Sequence, residues 1–142
     1  MRKTVTRSMA LVLALLMLLP TTALALEDRA SSRIMFCSVD LNLESSGDLD
    51  IYFTVTATAN MKILGATRLL VQRYDGSSWT TEYTYIAYST PELQSNDDSY
   101  HSTMLVYTPR FSGYYYRAVV TVYAQDSTGS STSELTSLSQ WI

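Results

Sequence analysis

Residues 49–58 read LDIYFTVTAT, and their alternation decides the fold. Leu49, Ile51, Phe53, Val55 and Ala57 fall on one parity; Asp50, Tyr52, Thr54, Thr56 and Thr58 fall on the other. Successive side chains of an extended chain point to opposite faces, so this is a strand with one face in a core and one in water. Just upstream, Met35, Cys37, Val39, Leu41 and Leu43 alternate with Ser38, Asp40 and Asn42, and Ser45-Ser46-Gly47-Asp48 supplies a turn. The two runs predict an antiparallel pair.

Downstream, residues 60–66 read as a connection. Its Met61, Ile63 and Leu64 would plug one end of the core, and Gly65 marks a tight backbone position. Residues 67–74 form a third strand, and Asp75-Gly76-Ser77-Ser78 turns it into a hairpin with residues 79–85. Residues 87–99, with Pro91 and a run of Ser, Asn and Asp, read as a loop with a short edge strand near Ile86. Residues 103–107, 114–124 and 132–138 complete the set, separated by Pro109, Gly113 and the turn Asp126-Ser127-Thr128-Gly129-Ser130. No helical stripe interrupts them. The expectation is an all-β chain, a single antiparallel β-sandwich of about seven strands, with a small β-barrel as the alternative.

Residues 1–25 read as a signal peptide. Arg2, Lys3 and Arg7 form a positive start, residues 9–19 an apolar run, and Ala23-Leu24-Ala25 a cleavage site. Eleven apolar residues rise only about 16 Å as a helix, too short for a bilayer core of roughly 30 Å. Residues 26–142 then form the exported domain, with no stable membrane span after cleavage. Of the ten basic residues three leave with the leader, so 7 stand against 13 acidic, a net of about −6. So acidic a chain lacks the electrostatic footprint for nucleic acid.

Catalytic chemistry finds little support. His101, the single histidine, lies in a Ser/Asp-rich segment that reads as solvated. No sharp Gly-rich turn holds a serine nucleophile. Cys37 and His101, 64 positions apart, do not make a zinc site, and Cys37 reads as a small buried hydrophobe. The acidic pairs Asp48/Asp50 and Asp97/Asp98 lack the spaced carboxylates calcium needs. The reading is therefore no enzyme, no metal and no cofactor.

Aromatic residues are the remaining signal, with eleven tyrosines and two tryptophans. Tyr83 and Tyr85 share a parity and would stand about 7 Å apart on one face, with Trp79 at the strand start. Together with Tyr88 they are the candidate binding residues, able to stack on sugar rings or anchor a peptide. Tyrosine also serves simply to pair across strands, and Trp79 can cap its own hairpin by packing on Tyr74.

The run from Gly113 to Ala124, with Tyr116, Ala118, Val120 and Val122 on one parity, resembles the sixth strand of fibronectin type III and immunoglobulin-like domains. That likeness implies a tyrosine corner at Tyr116, although the paired cysteines of antibody domains are missing. Residues 71–80 (VQRYDGSSWT) and 116–121 (YRAVVT) are similar to small secreted proteins of Gram-positive, Clostridia-type bacteria that share a domain of unknown function. The resemblance implies fold and export and brings no catalytic residues. Two functions follow as expectations. One is a secreted module binding a protein or glycan at the cell envelope or outside the cell. The other is a structural, self-associating protein that pairs through exposed strand edges, the Ser/Thr-rich last strand foremost.

Overall fold

A computed structural model of the chain describes residues 32–142. The leader read at residues 1–25 lies outside them. Among the described residues nine strands form: β1 (Ile34–Leu43), β2 (Leu49–Met61), β3 (Ile63–Tyr74), β4 (Trp79–Ile86), β5 (Gln94–Ser95), β6 (Asp98–Tyr107), β7 (Tyr115–Gln125), β8 (Ser130–Thr136) and β9 (Gln140–Trp141). Seven are long and two span only two residues each, which reconciles them with the seven read from the sequence. They make two separate antiparallel sheets, β1-β2-β6 and β4-β3-β7-β8, with β5 added to β3 and β9 to β7. The sheets do not close into a barrel. The two sheets pack face to face as a sandwich.

The alternation of residues 49–57 is realised as read: Leu49, Ile51, Phe53 and Val55 are wholly buried. From the other sheet, Leu69, Val71, Tyr116, Val120 and Val122 meet them. In β1 a register shift between Ile34 and Phe36 changes the expected parity. Ile34 is buried, whereas Met35 and Phe36 are exposed.

The largest departure lies at residues 60–66, which are not a connection. β2 runs to Met61 and β3 starts at Ile63, so Lys62 alone carries the chain from one sheet to the other. Met61 and Leu64 do seal the core there. A second shift, between Ala66 and Arg68, moves the inward parity of β3 from Leu64 and Ala66 to Leu69 and Val71. That switch hides the strand from a period-two reading. Residues 87–99 are likewise more ordered than a loop. A 3-10 turn at Pro91–Leu93 drops Leu93 into the core, and β5 then pairs with β3 beside Gly65. Gly65 has φ +147°, and a Cβ there would run into the backbone of Leu93 and Gln94.

Two contacts hold the ends of the sandwich. The phenol of the buried Tyr116 donates to the Phe111 carbonyl at 2.9 Å, closing the β6–β7 turn over the core. At the opposite end Arg33 donates to both carboxylate oxygens of Asp126, at 2.9 and 3.2 Å, and to the Thr128 hydroxyl at 2.8 Å. That fork ties the start of β1 to the β7–β8 turn.

Candidate functional site

The sequence groups Trp79 with Tyr83 and Tyr85; the structure separates them. The β3–β4 ladder shifts register between Val71 and Gln72, so Glu82 bulges between Thr81 and Tyr83. Partners across a ladder share a face. Tyr83 and Tyr85 pair with the buried Val71 and Leu69 and turn toward the other sheet, whereas Trp79 pairs with Tyr74 on the outer face. A single inserted residue thus reverses the parity along one strand. Tyr88, in the turn at the far end of β4 from Trp79, is 97% exposed.

Tyr83 and Tyr85 close the side of the sandwich where β4 overhangs β6. The Tyr85 phenol donates to the Val106 carbonyl at 2.8 Å. The Tyr83 ring meets that of Tyr85 edge-on at 4.7 Å and lies 6.2 Å from Tyr107. Burial pushes the Tyr85 and Tyr107 phenols above their usual range, so both stay protonated donors at neutral pH. Glu82, Thr108 and Arg110 complete a shallow notch of about 240 Å³. Tyr107 is buried there and Tyr85 half-buried, while Tyr83 stays about half exposed.

A second aromatic group lies on the outer face of the larger sheet. Trp79 of β4 pairs with Tyr74 of β3, and Tyr115 of β7 pairs with Trp141 of β9. Tyr74 and Tyr115 lie one step beyond the Arg73–Tyr116 pair, so the four residues form a row across four neighbouring strands. Three interstrand steps make it about 14 Å long. Ring centroids are 5.2 Å apart in the Tyr74–Trp79 pair and 4.8 Å in the Tyr115–Trp141 pair, the latter edge-to-face. The Arg117 guanidinium lies 4.2 Å over the Trp79 ring and donates to Gln72, fixing that end of the row. Tyr115 and Trp141 remain about half exposed.

Beside these two rings is a cleft of about 280 Å³ whose rim is formed by Tyr74, Asp75, Gly76, Gly113 and Tyr114. Asp75 accepts from the backbone and hydroxyls of Ser77 and Ser78, which hold its carboxyl well below the usual carboxylate range. Three of its four bonds go to Oδ1, so Oδ2, with one, keeps acceptor capacity at the rim of the cleft. The row brings together the chain's two tryptophans, one from the middle of the domain and one from its last strand. Trp141 escapes a sequence reading because Ser137, Leu138 and Ser139 break the strand before it. Its only signal there is the rarity of tryptophan.

His101 is not the solvated residue its neighbours suggest. It pairs with Val55, faces the core, and its Nε2 is buried with no hydrogen-bond partner among the described residues. Burial lowers its pKa, against a hydrogen bond to the Glu92 carbonyl and the charge of Asp98, which raise it. Burial thus favours the neutral ring in the fold, while the unfolded chain takes up a proton near pH 6.5. Its contribution is whole above about pH 6.5 and is lost as pH falls below that toward the depressed folded-state value. Urea midpoints should therefore drop between about pH 7 and 5. His101→Leu should flatten that stretch; an unchanged drop would assign it to another group. Asp75 and Asp126, both held low, contribute losses only in more acid solution.

Among the described residues no group of three or more His, Cys, Asp or Glu side chains is placed to hold a metal ion, and no helix is long and apolar enough to cross a membrane. Compared with known proteins, the chain matches no family model, no curated protein and no solved structure, so the outer-face aromatic row stands as a candidate site on its geometry alone.

Proposed function

We propose that this is an exported, non-enzymatic binding module that takes a glycan of the cell envelope, or outside the cell, on the aromatic row of its larger sheet. The observation that carries the reading is the meeting of Trp79, Tyr74, Tyr115 and Trp141 on one outer face, beside a cleft with an open acceptor. Sugar rings present apolar C–H faces edged with hydroxyls. Exposed indole and phenol rings meet the first, and Asp75 Oδ2 and the Tyr115 phenol can bond the second. A row of about 14 Å offers more than one ring a place. The fixed Asp75 carboxylate and the acidic chain favour neutral over anionic sugars. Export rests on the leader read at residues 1–25.

The test is retention of the exported domain on immobilised neutral glycans and cell-wall fractions, beside two variants. Trp141→Ala with Tyr115→Ala should lose retention at least tenfold while keeping the far-UV spectrum, since stacking on each ring carries on the order of 1 kcal/mol. Tyr83→Ala should retain native binding. Loss in Tyr83→Ala alone would move the site to the β4–β6 notch. Absence of retention by the native domain on every fraction would overturn the glycan reading in favour of a protein partner.

A further inference from the structure

The free edge of β8 presents a run of unpaired main-chain groups. Its ladder with β7 is unshifted from Val119↔Thr136 to Gln125↔Ser130. At its two ends Asp126 N–H donates to the Gly129 carbonyl and Ser137 N–H to the Ala118 carbonyl. Hydrogen-bonded pairs alternate in an antiparallel ladder, so the odd-numbered residues of β8 face β7. Ser130, Thr132, Glu134 and Thr136 therefore point their N–H and C=O groups away from the sheet, and among the described residues nothing pairs with them. The other edges are managed: β1 and β4 each carry a register shift, and β6 has its Val106 carbonyl capped by Tyr85. β8 has no shift, no proline, no lysine and a single charge, Glu134. Edges of that kind pair with other strands.

We infer that β8 pairs antiparallel with β8 of a second copy of this chain, about a two-fold axis at Ser133. That register sets Ser130 opposite Thr136 of the second copy and Thr132 opposite its Glu134. Each of the four outward residues on one chain then meets an outward residue on the other, and all their main-chain groups are satisfied. It also keeps the two glutamates off each other. A register centred one outward step away, on Glu134, would face them directly, at a cost. The side chains of these four residues all lie exposed on the outer face, so pairing requires no rearrangement of the core. Main-chain bonds set against the cost of association make the dimer weak, and it forms at high protein concentration.

Sedimentation and light scattering of the exported domain over a concentration series up to about 1 mM test this. The native domain should show reversible dimers. Thr132→Pro removes only an outward N–H and leaves the β7–β8 ladder intact, so it should be monomeric with an unchanged melting temperature. Two charge variants read the register without touching the backbone. Thr132→Lys places a cation opposite the second copy's Glu134 and should strengthen association. Thr132→Glu faces like charges and should weaken it, with the dissociation constants separated by about tenfold or more. A native domain that stays monomeric throughout, or Thr132→Lys that weakens association as much as Thr132→Glu, would overturn the pairing.

Discussion

Gly65→Ala is expected to lower the unfolding free energy by about 3 kcal/mol or more, the largest loss for the smallest change in this molecule. Two costs add. The position has φ +147°, a region closed to residues with a Cβ. The added methyl would also collide with the Leu93 carbonyl and the Gln94 backbone, neither of which is a side chain able to turn away. Relief requires β5 to leave β3, and Leu93, fully buried, would leave the core with it. In a domain of this size the melting temperature should fall by about 10 °C or more. A calorimetric midpoint within a degree or two of the native one would show that β5 and the 3-10 turn are not anchored there.

The second large effect is at Tyr116. Tyr116→Phe keeps the ring and removes the hydroxyl that bonds the Phe111 carbonyl, leaving a half-buried acceptor unpaired at a cost of about 1–3 kcal/mol. Tyr116→Ala also empties a wholly buried site beside Tyr107 and should cost about 3–5 kcal/mol. The turn has a second support. Arg73, ion-paired to Glu82 at 2.7 Å, lies under the rings of Phe111 and Tyr114. Urea titration should therefore rank native above Tyr116→Phe and that above Tyr116→Ala. An unchanged midpoint in Tyr116→Phe would mean that the hydrogen bond contributes nothing and that the corner is held by packing alone.

How much of this was legible depends on periodicity. β2 alternates without interruption along its first nine residues, so its inward set could be named residue by residue. β7 was equally plain, one residue of register aside. Where a bulge inserts a single residue the inward parity reverses, and local alternation then misleads. That happened in β1 near Met35, in β3 at Thr67 and in β4 at Glu82. The last of these is why the sequence sets Trp79 beside Tyr83 and Tyr85 while the fold sets it beside Tyr74. His101 escapes local reading for a related reason: its face is set by pairing with Val55, nearly fifty residues away, and not by its polar neighbours. The aromatic richness of the site was legible. Its division between an outer row and an inner notch was not, because that depends on which strands become neighbours.

The one-residue link at Lys62 bears on the order in which the fold assembles. β1–β2 and β3–β4 are local hairpins that close short loops, whereas β2–β6 and β3–β7 join distant parts of the chain and must close long ones. Because β2 and β3 are consecutive segments of nearly one ribbon, docking β6 on the former fixes where the latter stands, and docking β7 on the latter does the converse. Whichever distant ladder forms first has thus already met much of the search cost of the other. The transition state should be a single event spanning both sheets, with no half-folded species in which one sheet stands alone.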